Sequence, residues 1–326
     1  MTEHDAAGSV PALRAERLGR RYGKVWGLRD CTLEVPAGAV AALVGPNGAG
    51  KTTLLEMIIG LLKPTEGQVS VFGETSHAGA AGTLARVGYV AQDHPLYRDF
   101  TVADMFHLGQ AMNPGWDRKL AAARIDALGI PLKRKVRQLS GGQQAQVSLT
   151  MALAKRAPLL VLDEPVSSLD PVARLEFMRD VMASAAEAGT DLTFLISSHV
   201  VSELERICDW LIILANGHVQ LAGPADGLLA AHRLLTVPRD TPDAELPGTA
   251  IHRTDSDSPS HQHSTVLVRT GADQPAARSR PGWQVGTASF EQLVLGYLQH
   301  QSTGATQENP APAAQRPGPS TKEFTR

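Results

Sequence analysis

The sequence predicts an α/β layered fold built on a largely parallel sheet. Three observations carry this expectation. Short apolar runs alternate with helical signals over residues 1 to about 225. One of those runs ends in a glycine-rich loop that opens a helix. An Asn216-Gly217 pair between two apolar runs is a hairpin turn signal and adds an antiparallel edge.

The predicted strands are taken in order. Val40–Val44 is a short apolar run ending at Gly45, and residues 69–72 and Val87–Val90 are similar. Residues 159–162, 192–196 and 210–214 are further runs bounded by polar or turn residues. Strands covered on both faces have this composition, because neither face needs polar side chains. Helices fill the gaps. Residues 50–59 run from the glycine loop to Gly60, a C′ glycine. Residues 101–112 open on an N-cap threonine, and 117–128 close before Gly129. Asp170-Pro171 supplies an N-cap and a first-turn proline for a helix running toward Gly189.

Beyond about residue 225 the composition changes. Residues 238–264 are rich in Pro, Asp, Ser, Thr and His and read as loop, with one strand at 265–269. Ser289 and Gln292 form a capping box for a helix. Phe290, Leu293, Val294, Tyr297 and Leu298 give that helix an apolar stripe that must bury against something. Residues 301–326 are poor in apolar side chains and read as a disordered tail. Three segments are therefore expected: a main domain over 1–225, an accessory α+β module over 226–300 and a tail over 301–326.

Composition excludes several classes. The 326 residues carry 31 basic and 33 acidic side chains, a net charge of −2, so no basic footprint for nucleic acid exists. Two cysteines, Cys31 and Cys208, do not make a disulfide framework and read as reduced, buried thiols. The amino terminus lacks the basic and apolar regions of a secretory signal. No apolar run approaches the ~18 residues of a membrane span, so work at a membrane would need another chain to cross it. His261 and His263 stand in a polar stretch and read as solvated side chains rather than a metal site.

Residues 45–52, Gly45-Pro46-Asn47-Gly48-Ala49-Gly50-Lys51-Thr52, fit G-x-x-x-x-G-K-[ST] between a predicted strand and a predicted helix. The glycines let backbone N–H groups converge on phosphate oxygens, and the helix that follows presents its N-terminus to the same anion. Lys51 is expected to reach the β- and γ-phosphates and the Thr52 hydroxyl to ligate Mg²⁺; Thr53 continues the loop. The run 159–162 ends in Asp163-Glu164, two acids at the carboxyl end of a strand, where α/β sheets place ligands. Asp163 is expected to hold Mg²⁺ and Glu164 to orient or deprotonate the attacking water.

Leu139-Ser140-Gly141-Gly142-Gln143 reads physically as a helix start: Ser140 and Gln143 fit a capping box, Lys155 and Arg156 fall in the last turn, and two glycines offer a second anion site. LSGGQ also resembles the signature motif of ATP-binding cassette (ABC) ATPases. Other motifs of that family match in order. Tyr22 resembles the aromatic that stacks on adenine, and Gln92 the glutamine near Mg²⁺ and the water. Ser168-Leu169-Asp170 resembles the D-loop, and His199 the switch histidine that contacts the γ-phosphate. The resemblance covers about residues 12–225. Two departures stand inside it: serine precedes Leu169 where many members have glycine, and Gln144-Ala145-Gln146 lacks an arginine many members carry.

The resemblance implies a P-loop NTPase with a RecA-like core, an antiparallel β edge and a helical subdomain. It implies MgATP hydrolysis in a head-to-tail dimer with a second ATP-binding subunit, in which Ser140 and Gly142 reach the γ-phosphate held by the partner. It also implies separate integral membrane permease subunits, docked around residues 93–105, and a peripheral location at the cytoplasmic face of the membrane. Residues 113–117 and the helix after Ser289 loosely resemble exporter-type bacterial subunits. The alternative is a soluble ABC ATPase acting on DNA or ribosomes, which usually joins two cassettes or inserts a long coiled coil; neither is present in the sequence.

Overall fold

The computed structural model describes residues 10–189, 192–255, 263–270, 280 and 282–304. The strands are β1 (Leu13–Tyr22), β2 (Val25–Val35), β3 (Val40–Val44), β4 (Glu66–Val71), β5 (Glu74–Thr75), β6 (Val87–Val90) and β7 (Leu159–Asp163). They continue with β8 (Thr193–Ser198), β9 (Trp210–Ala215), β10 (His218–Pro224), β11 (His232–Pro238), β12 (Thr249–Asp255), β13 (His263–Arg269) and β14 (Gln284–Thr287). The helices are α1 (Lys51–Ile58), α2 (Ala81–Arg86), α3 (Val102–Met112), α4 (Arg118–Ala127), α5 (Gly141–Ala154), α6 (Pro171–Ala188), α7 (Val201–Leu204), α8 (Ala225–Ala230) and α9 (Phe290–Gly304).

The central sheet has the order β10-β9-β3-β8-β7-β6. Its inner ladders are parallel, and β9 and β10 form the antiparallel edge across the Asn216-Gly217 turn. Both turn residues have positive φ, 50° and 74°, as a type I′ hairpin requires. Neighbouring residues of each strand feed different cores. Ala42, Val44, Leu160, Leu162, Phe194 and Ile196 face one apolar cluster with α5 and α6. Ala41, Leu43, Leu159, Val161 and Leu195 face another with α1, β1 and β2. Coverage on both faces is why these strands read as unbroken apolar runs.

A second sheet, β2-β1-β4-β5, is antiparallel throughout. Here one expectation is corrected: residues 69–72 do not join the covered parallel sheet. Val69 and Val71 are buried while Gln68 is exposed and Ser70 half-buried, the alternation of a strand covered on one face. The same alternation explains why β1 and β2 did not stand out as apolar runs. The sheet meets the central one at the hairpin, where Arg29 N–H donates to the Gly217 carbonyl (2.8 Å).

The predicted caps form. Thr101, Ser140 and Asp170 accept from first-turn N–H groups of α3, α5 and α6, and Asp117 does so for α4. Lys155 and Arg156 fall outside α5, however. Lys155 Nζ donates to the carbonyls of Leu84 (2.6 Å) and Val87 (2.8 Å), and Arg156 pairs with Asp117 (2.7 Å). They tie α5 to its neighbours instead of offsetting its dipole.

The third sheet, β12-β13-β11-β14, belongs to the carboxy-terminal part. The loop expected over 238–264 contains β12 and the start of β13. β12 pairs on one side only, with β13, and is half-exposed, so it tolerates the polar composition that hid it. The α9 stripe is buried as expected: Phe290, Leu293, Val294 and Tyr297 join the apolar cluster of α5, α6 and the central sheet. Residues 301–304 continue α9 rather than the tail. Residues 305–326, and His261, lie outside the described residues. Cys31 and Cys208 are both free, and burial raises their thiols to about 11 and about 12. Among the described residues no helix is long and apolar enough to cross a membrane, and no group of three or more metal-ligating side chains occurs.

Candidate functional site

β3 delivers the glycine loop. Gly45 leaves the strand so close to the Leu214 carbonyl of β9 that a side chain would collide with it. Gly50 has φ 103°, a conformation that glycine adopts without a Cβ penalty, and caps α1 with no side-chain hydrogen bond. The contrast with α3, α5 and α6 is chemical: no capping side chain takes the first-turn donors of α1. Those N–H groups are left to an anion. Pro46, Asn47, Gly48 and Thr52 are exposed, Thr53 is half-buried, and Ala49 is buried beneath the loop.

Lys51 is only 5% exposed. Its Nζ donates to the Gly45 carbonyl (2.8 Å) and lies 3.1 Å from Glu164 Oε1. Glu164 Oε2 is 3.0 Å from His199 Nδ1, so one carboxylate joins the lysine to the histidine. Glu164 itself holds φ 43°, a region that bulky L-residues rarely adopt and that turns its side chain out of the strand line.

Asp163 ends β7 and is buried. Ser197, its register partner on β8, donates Oγ–H to Asp163 Oδ1 (2.7 Å) and accepts from Glu164 N–H (2.8 Å). A single hydroxyl thus fixes both acids. Glu56 of α1 and Tyr89 of β6 also feel Asp163. Burial first, then the Asp163 charge, raises the Glu56 carboxyl and keeps the Tyr89 phenol protonated. The sequence reading did not single out Ser197, Glu56 or Tyr89. The pair Ser197-Ser198 just before His199, at the end of an apolar run, was the one local signal available.

The other expected residues fall in different places. Tyr22 is exposed at the end of β1, with its ring over Gly27 and the Arg20 guanidinium 5.1 Å from its centroid. The Gly27 carbonyl in turn abuts Gly50, which sets Tyr22 beside the loop. Gln92 is exposed just after β6. Ser140, Gly141, Gly142 and Gln143 begin α5 and pack on the start of α6: a Cβ at Gly142 would come 3.0 Å from Ala173, and one at Gly141 faces Leu169. Ser140 Oγ already accepts from Gln143 N–H, so one donor of that helix start is taken. Asp170 Oδ1 accepts from Val172 and Ala173 N–H and so belongs to the α6 cap. Two groups result: the loop with Asp163, Glu164 and His199, and the LSGGQ turn with the D-loop. Gln146 is buried and accepts from Arg124, which also pairs with Asp180. That departure from the family pattern therefore belongs to an internal network of α4, α5 and α6.

The arrangement holds an ammonium against the Gly45 and Pro46 carbonyls, at the uncapped start of α1 and beside a carboxylate–imidazole pair. It suits a polyanion and a water attacking it. The comparisons agree. The ABC transporter family pattern matches residues 28–167. The Fe(3+) ions import ATP-binding protein of Pseudomonas fluorescens is 35% identical over 248 residues, 74% of this chain and 67% of that protein. The Nod factor export ATP-binding protein I of Ralstonia nicotianae is 35% identical over 218 residues, 64% of this chain and 66% of that one. A dimeric ATP-binding cassette in a post-hydrolysis state, bound to ADP and Pi, superposes with a TM-score of 0.57 at 25% identity, covering 65% of this chain and 98% of its own. With its glycine loop, paired acids and LSGGQ turn on this scaffold, the chain belongs to the ATP-binding subunits of ABC transporters and is an ATPase.

Proposed function

We propose that the chain hydrolyses MgATP as one half of a head-to-tail pair and thereby drives a separate membrane permease. The observation that carries this reading is Glu164, held between Lys51 and His199 at 3.1 and 3.0 Å. The loop residues Gly45, Asn47, Gly48, Ala49 and Gly50 with Lys51, Thr52 and Thr53 take the triphosphate, and Tyr22 stacks on the base. A phosphate drawn to Lys51 competes with Glu164 for the ammonium, which frees the carboxylate to face water. His199 then holds Glu164 and contacts the γ-phosphate.

Asp163, Thr52 and Gln92 offer hard oxygen donors and no soft ones, a set that fits Mg²⁺. Asp163 is the buried member, kept in place by one hydrogen bond from Ser197. These residues would hold the ion, which would supply positive charge against the negative charge that develops on the phosphate oxygens. Ser140, Gly142 and Gln143 of one subunit close over the nucleotide of the other, with Asp170 setting the helix beside them. Positioning and charge supply most of the acceleration.

The permease docks on the segment after Gln92. Its support is an exposed aromatic pair there, Tyr97 and Phe100, with ring centroids 5.0 Å apart. Residues 226–300 act as an accessory module on the main domain of residues 1–225. The chain sits at the cytoplasmic face of the membrane and works in export. The relatives at 35% identity include both an importer and an exporter subunit, so direction rests on the exporter-like segments 113–117 and α9.

Glu164→Gln tests the proposal. Hydrolysis is expected to fall on the order of 10²–10³-fold, with ATP still bound and a dimer trapped on size exclusion. A variant that hydrolyses ATP at the parent rate removes Glu164 from this role. Purification from membranes is expected to bring down a multi-span protein.

A further inference from the structure

His94 lies on the loop after Gln92 and yet is only 6% exposed. Its Nε2 is 3.0 Å from the carbonyl oxygen of Pro165, the residue after Glu164. A carbonyl only accepts, so Nε2 carries the proton and Nδ1 is left as an acceptor. Nδ1 is buried without a hydrogen-bond partner among the described residues. The ring packs toward Phe177 of α6, 6.5 Å between centroids. Both ends of the link sit beside unusual backbone: His94 and Glu164 each have φ 43°.

We infer that His94 is a positioning residue that latches the loop after Gln92 to the Glu164–Pro165 turn. It sets the orientation of Glu164 from the segment on which the permease docks. This rests on reading Glu164 as the residue that readies the water. The link is short: one side-chain hydrogen bond and one peptide unit separate the imidazole from the catalytic residue's backbone. A displacement of residues 93–105 therefore reaches the Glu164–Pro165 turn through the Pro165 carbonyl. The unpaired Nδ1 makes the latch releasable. Moving the loop outward costs the Nε2 bond but gives Nδ1 access to water, and the two changes offset.

The test uses the full-length chain. His94→Phe keeps a ring and removes the donor; His94→Gln places an amide N–H at similar reach. The kcat for ATP hydrolysis is expected to fall about tenfold in His94→Phe, with KM for ATP unchanged. His94→Gln is expected to restore most of the loss. Should His94→Phe not fold, His94→Asn, whose shorter amide does not span to the carbonyl, replaces it against His94→Gln. Wild-type kcat in the donorless variant overturns the inference, as does a His94→Gln no better than it, since packing alone would then explain the site. Glu164→Gln is measured alongside. Activity there defeats the underlying reading, whereas inactivity there with an unaffected His94→Phe defeats only the latch.

Discussion

The glycine-loop end of the central sheet and the carboxy-terminal sheet are both made of short strands, but they use buried polar groups differently. At the loop, Lys51 and Glu164 are nearly enclosed and face each other beside open backbone donors. In the carboxy-terminal part, the buried polar side chains His232 and Ser264 are closed off by local partners. His232 bonds the Leu228 carbonyl and the Tyr297 hydroxyl, and Ser264 donates to Asp255. Charge held inside a protein with unspent donors next to it serves a ligand. Polar groups that satisfy one another serve the fold.

The sharpest way to break this contrast is Lys51→Ala. If Lys51 holds two phosphate oxygens at ~1.5–3 kcal/mol each, nucleotide affinity drops on the order of a thousandfold. Isothermal titration with ATP reads this directly, and unchanged affinity would return the loop to a structural role.

A smaller effect of a different kind is expected from Leu293→Ala on α9. Leu293 is fully buried in the cluster shared with the central sheet, so truncation should cost about 2–5 kcal/mol of stability. Denaturant titration measures the loss, and KM for ATP should stay put. A shift in KM would show that α9 reaches the nucleotide site and that the two regions are not separable.

The smallest effect concerns pH. Burial, as the main cause, lowers the His232 imidazole below its ordinary value. The folded protein thus binds fewer protons than the unfolded chain once pH falls below the unfolded value of ~6.5. Stability is full above that pH and declines as pH falls toward the lowered folded value. Melting curves at pH 7.5, 6 and 5 should show the decline, and His232→Gln should flatten part of it. A His232→Gln variant with the parent's pH slope would place the sensitivity elsewhere, for example at His94 or His252, which are lowered in the same direction.

The same contrast explains what the sequence disclosed. The loop, the acids, the LSGGQ turn and the caps at Thr101, Ser140 and Asp170 were legible, because each requires a particular residue type at a particular spacing. Covered strands such as β3 and β7 were legible as apolar runs. β12 was not, because an edge strand paired on one side carries Arg253, Thr254 and Asp255 as easily as apolar residues. β4 was found but assigned to the wrong sheet: a two-residue alternation is too short to separate from a run. Ser197 and His94 were passed over because their importance lies in partners more than 30 residues away.

Ser197 has a wider consequence. Its hydroxyl meets Asp163 and Glu164 only because β7 and β8 align Asp163 with Ser197. The ladder therefore works as a ruler: one hydroxyl meets the Asp163 carboxylate and the Glu164 N–H because five residues of β7 and β8 are held in this alignment. A change far from the nucleotide that let β8 slip by one position would turn Ser197 to the opposite face. It would disarm the site while leaving every residue of its motifs in place.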